Sequence, residues 1–338
     1  MKRLIYIALL SLLFLSCDEL FLGSDPKADD PLLAFDEFYS QVDTKFSFFS
    51  YLSQDFDSAF QINRNTLEEN PSPEVLVEAL QEMINLLGDG HSNVFLSSNA
   101  AISYTGWYDQ YPVNTLSDIS GYFQNYIKVN QALEYGSLNN NIGYIKVNTF
   151  SGSLPSSNYL EIDTILNEFE NKVGIIIDVR SNGGGNSNNA DTLISRFNDE
   201  PRLAFRARRR EPSSRDSFGP WFEKLTDVHS GNRFLKPVAV LTNRRSFSST
   251  EWFVSGMRTI PHVTIVGDTT GGGSGNPVFA PLPNGWSMRV SNTQKELPEG
   301  RDYQYEGIYP DIPVWVTTEN SLAGIDTILE RAIEAIRN

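Results

Sequence analysis

Cysteine, histidine and long hydrophobic runs are scarce in this 338-residue chain, and each scarcity excludes a class of protein. The single cysteine, Cys17, rules out an internal disulfide, so an oxidising compartment would place no demand on the fold. Three scattered histidines offer no ligand cluster, which argues against a metal enzyme, and we expect neither metal nor cofactor. The apolar run Leu4–Leu15 is shorter than the roughly 20 residues that a membrane-spanning helix needs.

Basic residues are also few, because 27 lysines and arginines face 42 aspartates and glutamates, for a net charge of −15. A strongly acidic surface repels phosphates, so we expect no nucleic-acid partner. The hydrophobic fraction of 40% and the charged fraction of 20% are ordinary for a globular protein. A chain of this length can form one large domain or two modest ones.

The first residues have the pattern of a targeting segment. Residues 1–17 join a basic start to the apolar run and end at Cys17, and this resembles a bacterial lipoprotein signal with a lipidated cysteine. Phe14 stands where leucine is usual, which leaves cleavage by an ordinary signal peptidase open, and a cytosolic core helix is a further alternative. Residues 18–30 are polar, contain proline and glycine, and are interpreted as a tether.

Residues 31–97 are predicted to form a small N-terminal helical domain. The clearest helix begins at Ser72, a capping residue followed by proline, and ends at Gly88. Its apolar residues recur at steps of four, three and four, as in an amphipathic helix: Leu76, Leu80, Met83 and Leu87. Residues 98–140 show no strong period and are predicted to be an irregular connection with a strand or two.

Residues 141–338 alternate between strand and helix patterns. Apolar strands are predicted at Ile142–Val147, Val173–Val179, Val238–Leu241 and Val263–Val266, with amphipathic helices between them and at the end of the chain. Such alternation indicates an α/β core with a mixed sheet.

Three serines lie between the third of these strands and the following helix, in the segment Leu241–Phe253. A serine at the start of a helix is commonly a cap. It also lies beside unpaired backbone N–H groups that can stabilise an oxyanion. The segment alone does not decide between these two roles.

Polar residues gather at the ends of elements in four places, where active sites are usually found: 88–92, 180–185, 246–251 and 305–311. Serine hydrolysis needs a nucleophile, a base, a group that orients the base and N–H donors for the oxyanion. Ser248, His91, a carboxylate and the turn Gly183–Gly185 can supply them. The glycine turn lacks the spacing of a dinucleotide fingerprint.

Four motifs in order resemble the S41 serine peptidases, the tail-specific or C-terminal processing peptidases that include tricorn. Residues 87–92 (LGDGHS) resemble the histidine motif, and residues 178–185 (DVRSNGGG) resemble the family's D-x-R-x-N-x-G-G. Residues 241–251 (LTNRRSFSSTE) resemble the nucleophile motif, whose serine lies three residues before glutamate and is therefore Ser248. Residues 306–314 (EGIYPDIPV) resemble the closing motif, so the likeness covers about residues 33–338.

The resemblance also implies a catalytic subtype. The Ser-Lys members carry a lysine about 25 residues after the serine, where this chain has Gly273, and the first lysine after Ser248 is Lys295. The tricorn-like members use the histidine as base and a glutamate before the closing Pro-Asp, which implies His91 and Glu306. Tricorn has a serine just before the histidine, and here this residue is Gly90. Glu306 would then reach His91 through water or a hydroxyl such as that of Ser92, or the relay would be weaker.

For the rest of the site and fold, the resemblance implies an oxyanion hole made by the N–H of Ser249 and that of Gly185, in preference to Gly184. It implies a mixed-sheet peptidase core of the ClpP/crotonase-like type over residues 141–338. No PDZ domain is expected, because the segment between the His91 motif and the core is about half the length that such a module needs.

Together these features predict a serine endopeptidase or C-terminal processing peptidase of the bacterial cell envelope. It would be lipid-anchored at Cys17, periplasmic or surface-exposed, and would act on peptides or unfolded proteins. One alternative is a weak or inactive relative that binds a peptide or an apolar ligand, as retinoid-binding proteins of this fold do. Another is a hydrolase of non-peptide esters, because the catalytic groups alone do not determine the leaving group.

Overall fold

The central sheet of the protein contains seven strands in the order β14-β10-β9-β6-β5-β4-β3. The computed structural model describes residues 30–97, 100–116 and 118–338, so Cys17 and the predicted signal and tether lie outside the described residues. The strands of this sheet are β3 (Phe123–Lys128), β4 (Leu133–Leu138), β5 (Ile142–Val147), β6 (Gly174–Asp178), β9 (Val238–Thr242), β10 (Val263–Gly267) and β14 (Ile312–Pro313).

Two smaller sheets complete the β structure of the described residues. One has the order β11-β12-β1-β2 and the other the order β13-β7-β8. Their strands are β1 (Asn93–Phe95), β2 (Ala101–Ser103), β7 (Leu203–Arg209), β8 (Phe222–Leu225), β11 (Pro277–Pro281), β12 (Ser287–Ser291) and β13 (Thr293–Glu296).

The α-helices lie before and between these strands. They are α1 (Pro31–Lys45), α2 (Phe56–Glu69), α3 (Pro73–Leu87), α4 (Gly106–Asp109), α5 (Ser157–Leu160), α6 (Ile162–Glu168), α7 (Ser187–Ile194), α8 (Ser249–Met257), α9 (Thr318–Leu322) and α10 (Thr327–Arg337). Short 3₁₀ turns occupy Phe49–Tyr51 and Ser120–Tyr122. None of the helices in the described ranges is both long and apolar enough to cross a bilayer.

The predicted strands of the core are confirmed, and their apolar composition has a clear cause. Strands β5, β6, β9 and β10 run parallel to one another, and every residue of β6 and β9 is buried. Ile175 and Ile177 face a cluster that includes helices α7 and α8, whereas Ile176 faces α10. A sheet covered on both faces needs strands that are apolar without alternation. The carboxyl ends of β6 and β9 therefore lie side by side, and the loops that follow them meet.

The N-terminal helices do not form a core of their own. Helices α1, α2 and α3 pack in one cluster with residues from β1, β2, β11 and β12. Because β12 pairs with β1 in antiparallel register, with Val94 opposite Met288, residues from the last third of the chain complete the N-terminal unit. The sequence-based division at residues 97 and 141 stays a prediction.

Residues 98–140 are predicted to be an irregular connection with a strand or two, and they contain the strands β2, β3 and β4 and the short helix α4. Strands β3 and β4 form a hairpin at the edge of the main sheet, and β4 pairs with β5. The pattern was weak because β3 is largely exposed and carries polar residues, so its sequence lacks the alternation that marks a half-buried strand. The main sheet thus begins before residue 141.

A buried ion network joins the end of β6 to the last helix. Arg180 bonds Asp178 at 2.7 Å and Asp326 at 2.8 Å, and Lys146 lies 3.2 Å from Asp178. Burial alone would raise the pKa of Asp178, but Arg180 and Lys146 outweigh it and hold this pKa below its usual range. The D-x-R part of the 178–185 motif is therefore structural, and it fixes the strand end from which the glycine turn starts.

We predict that Asp326→Asn lowers the free energy of unfolding by about 3 kcal/mol, because the buried network is left with one positive charge in excess. Asparagine still caps a helix, so the cap that Asp326 provides to Leu329 is kept. Glu334→Gln is the matched control, since its pair with Arg331 is exposed and a change below about 1 kcal/mol is expected. Urea unfolding measures both, and equal small effects would contradict the structural role.

Candidate functional site

Ser248 lies at the turn between β9 and α8, as the sequence predicted, and its backbone is strained. Its φ of 60° and ψ of −119° lie in a region that residues with side chains rarely adopt and that is often found at functional sites. It occupies the N-cap position, yet the N–H of Glu251 bonds its carbonyl oxygen rather than its hydroxyl. The hydroxyl Oγ instead lies 2.8 Å from Nε2 of His91. The hydroxyl is therefore free for chemistry.

Glu251 holds this turn in place from inside the protein. Its buried carboxylate accepts the N–H of Ser248 at 3.0 Å and the hydroxyl of Thr270 at 2.6 Å. It also accepts the N–H groups of Gly272 at 2.8 Å and Gly273 at 2.7 Å. Burial raises the pKa of Glu251, and these hydrogen bonds oppose the rise. The interval of three residues between serine and glutamate in the motif thus has a physical reason.

His91 lies beside Ser248 in the structure, although 157 residues separate the two in the sequence. Helix α3 ends at Leu87 and is capped by Gly88, whose left-handed φ of 61° stops the helix three residues before His91. The imidazole is buried and lies 4.6 Å from the ring of Phe247 between centroids. Burial lowers the pKa of His91 to about 4, and the charge of Asp89 opposes this shift. The ring is therefore neutral at pH 7, which is the form that accepts a proton.

An aromatic pair fills the space beside Gly90 and Gly273, the two positions where the motifs implied a serine or a lysine. Trp107 stacks on Phe247 with 4.0 Å between ring centroids. A Cβ on Gly90 would lie 2.6 Å from Nε1 of Trp107, and a Cβ on Gly273 would overlap the ring of Phe247. Neither a serine at 90 nor a lysine at 273 fits unless these rings move.

The structure does not bring Glu306 to His91. The Glu306 side chain is exposed, accepts the hydroxyl of Tyr309 at 3.0 Å and lies 3.7 Å from Arg301. Nδ1 of His91 is buried and has no hydrogen-bond partner among the described residues. Ser92 donates to Asp89 at 2.6 Å and not to Glu306. The predicted relay through Glu306 is therefore absent from this geometry, because its side chain points to the surface.

Asp89 is the carboxylate that lies beside His91. It is buried and accepts hydrogen bonds from four groups, which are the hydroxyls of Ser92 and Ser291, the amide of Gln304 and the N–H of His91. These bonds fix a negative charge close enough to the imidazole to raise its pKa. Asp89 belongs to the motif at 87–92, but nothing in that motif indicates that Asp89 rather than Glu306 is the charge near His91.

At the proposed oxyanion site, two N–H groups have no acceptor within the part of the chain that the structure describes. Among the described residues, neither the N–H of Ser249 nor that of Gly185 donates a hydrogen bond, whereas the N–H of Gly184 bonds Oδ1 of Asn182 at 3.0 Å. The hydroxyl of Ser249 donates to the carbonyl of Gly185 at 2.6 Å, which holds the two segments together. This favours Gly185 over Gly184 as the second donor.

Ser248 and His91 open into a cavity of about 600 Å³. The glycine turn at Gly183–Gly185 forms part of its wall, and Arg289 and Lys295 line it as well. The described residues contain no group of three or more His, Cys, Asp or Glu side chains that could hold a metal ion. The arrangement suits acyl transfer, because nucleophile, base and oxyanion donors border one space that admits a substrate.

We predict that Asp89→Asn slows labelling of the protein by a serine-directed fluorophosphonate at least about tenfold at pH 7, because the imidazolium formed on His91 loses its neighbouring charge. Glu306→Gln makes the same chemical change at an exposed position, and we expect its rate to stay within about twofold of the native rate. Circular dichroism verifies that both variants are folded. Slow labelling of Glu306→Gln together with an unchanged labelling rate of Asp89→Asn would contradict the assignment of Asp89 as the charge that stabilises the imidazolium.

Comparisons with known proteins point to one peptidase family. The model of "Peptidase family S41" matches residues 141–314, about half of the chain. The carboxy-terminal processing protease CtpB of Bacillus subtilis is 26% identical over 177 residues, which are 51% of this chain and 34% of that protein. The chain spans between 33% and 45% of the length of the curated relatives it matches.

Solved structures extend the likeness to most of the chain. A putative peptidase from Parabacteroides merdae is 32% identical, with a TM-score of 0.82, over 91% of this chain and 97% of that one. Mature CPAF in complex with lactacystin shares the fold at 14% identity, with a TM-score of 0.67 over 92% of this chain and 99% of that one. The family match and the Parabacteroides relative show that this chain belongs to peptidase family S41.

Proposed function

We propose that the protein is a serine endopeptidase or C-terminal processing peptidase that cleaves peptides or unfolded proteins. The observation that carries this proposal is the 2.8 Å contact between Oγ of Ser248 and Nε2 of a neutral, buried His91. The names of the curated relatives, which are carboxy-terminal processing proteases, support it.

In the proposed reaction, Nε2 of His91 takes the proton of Ser248 while Oγ attacks the carbonyl carbon of the substrate. The N–H groups of Ser249 and Gly185 bind the oxyanion of the tetrahedral intermediate. His91 then gives its proton to the departing amine and leaves an acyl group on Ser248. Water, deprotonated by the same histidine, attacks the acyl carbon, the bond from this carbon to Oγ breaks, and His91 returns the proton to Oγ as the acid product leaves. The charge of Asp89 stabilises the imidazolium in both steps.

The alternative of an inactive binding protein has less support. A protein that only bound a ligand would not need a serine in a strained conformation with its hydroxyl against a neutral imidazole. An ester substrate would use the same groups, so a direct comparison of peptide and ester substrates is part of the test.

We expect the purified protein to cleave members of a peptide library, read by mass spectrometry, and Ser248→Ala to abolish cleavage. His91→Ala should slow it by at least about a hundredfold, because general-base catalysis contributes a factor of that order. Ser246→Ala is the control, since its hydroxyl bonds the carbonyl of Val179 within the core. Cleavage that persists in Ser248→Ala, or activity on esters alone, would refute the peptidase assignment.

We further propose that Cys17 carries a lipid that anchors the protein in the cell envelope, on the periplasmic or outer side. The sequence of residues 1–17 supports this, and these residues lie outside the described structure. Incorporation of a labelled fatty acid in cells, lost in Cys17→Ser, is the expected result. Incorporation that persists in Cys17→Ser would exclude this anchor.

A further inference from the structure

The cavity beside Ser248 carries positive charge in an otherwise acidic protein. Arg289 and Lys295 line it, and no carboxylate is among its lining residues in the described part of the chain. The chain as a whole has a net charge of −15, so a wall with two cations is a local exception. Phe279, which is 68% exposed, adds an apolar surface to the same cavity.

Arg289 is held in position by one hydrogen bond and keeps donors free. It lies on β12, and its Nε donates to Oδ1 of Asn93 on the neighbouring strand β1 at 2.6 Å. Its guanidinium carbon lies 5.6 Å from the ring centroid of Phe95. Its Nη1 and Nη2 form no hydrogen bond or salt bridge within the described residues, so these donors can bind an anion in the cavity.

Lys295 is buried but has no bonded acceptor among the described residues. It is 7% exposed, and its Nζ lies 5.4 Å from the ring centroid of Phe205 and 5.3 Å from that of Trp252. Glu251 and Asp302 act on its charge from a distance. Their oxygens accept hydrogen bonds from other groups, which for Asp302 are the Tyr51 hydroxyl and the Gln304 N–H.

A bound anion stabilises a buried ammonium group without a partner more than it stabilises the ammonium group of an exposed lysine. Burial lowers the pKa of Lys295 to about 8, and Glu251 opposes the shift, so the charged form predominates at pH 7. A buried charge without a direct partner is costly, and a carboxylate brought by the substrate would supply that partner.

We propose that Arg289 and Lys295 form a subsite that binds a carboxylate of the substrate close to the scissile bond. The carboxylate comes either from an aspartate or glutamate side chain or from the free end of the peptide, and both present the same planar anion. This inference rests on the proposed peptidase function, because it assigns the cavity beside Ser248 to the substrate.

Binding to the Ser248→Ala protein tests the subsite without requiring turnover. Peptides blocked at both ends, with glutamate or glutamine next to the best cleavage position, test whether an acidic side chain supplies the carboxylate. Peptides without acidic side chains, ending in a free acid or an amide, test whether the free end of the peptide supplies it. If no library peptide is cleaved, one host peptide sequence is used instead. Glutamate or glutamine is placed at each of its positions in turn, and the same host is made with a free-acid or an amide end. Dissociation constants are measured by the fluorescence of tryptophan or of a dye on the peptide.

In at least one of the two comparisons, we expect the acid to bind at least about tenfold more tightly than its neutral counterpart. Adding Arg289→Gln or Lys295→Met to the Ser248→Ala protein should reduce this ratio to within about twofold and leave binding of the neutral peptide unchanged. Methionine keeps an apolar stem over the rings of Phe205 and Trp252, which protects the fold.

Lys224→Met is the matched control. Its Nζ also lies over the ring of Trp252, at 5.5 Å, but it bonds Asp191 at 2.9 Å and does not line the cavity. Its preference for acids should equal that of the parent protein. Equal binding of acid and neutral peptides in both comparisons, or a preference that survives both variants, would overturn the subsite. Absence of cleavage by the native protein would instead count against the peptidase function.

Discussion

The buried carboxylate of Glu251 is the interaction on which the site depends. It ties the nucleophile turn at Ser248 to the loop that contains Thr270, Gly272 and Gly273, through four hydrogen bonds that involve both of its oxygens. A backbone conformation as strained as that of Ser248 persists only where the surroundings over-determine it. The hydrogen bonds of Glu251 supply that constraint on the backbone of the turn, and the 2.8 Å contact with His91 positions the hydroxyl.

The choice of a histidine base follows from how the space around Ser248 is filled. Phe247 lies against His91 on one side and Trp107 on the other, and its ring occupies the position that a side chain at Gly273 would need. A lysine cannot enter from that loop while the aromatic pair is in place. Phe247 packs against the imidazole, whose burial lowers its pKa and so keeps it neutral at pH 7.

Much of the core and the central pair of site residues could be predicted from the sequence. Strand β6 is apolar on both faces because helices cover both, and this pattern is visible locally. The spacing of three residues before Glu251 in the sequence predicts Ser248 as the nucleophile, and the motif at 87–92 predicts His91 as the base. The roles of these two residues, and of Ser249 and Gly185, stay proposals.

Other features depend on contacts between distant parts of the chain, which a local pattern cannot show. The pairing of β1 with β12 joins the N-terminal helices to residues near 290. Glu306 was chosen for its place in a motif, but the direction of its side chain depends on Arg301 and Tyr309. Trp107 comes from a segment without a strong period, and nothing in its neighbourhood indicates that it stacks on Phe247, the residue that lies against His91.

The most direct test of this account measures how fast a fluorophosphonate labels the protein at different pH values and maps the labelled residue by mass spectrometry. We expect a label on Ser248, at a rate that changes little between pH 7 and pH 5. A base whose pKa is lowered to about 4 stays neutral over that range. A label elsewhere, or a fall of more than about tenfold as expected for a histidine with the ordinary pKa near 6.5, would contradict it.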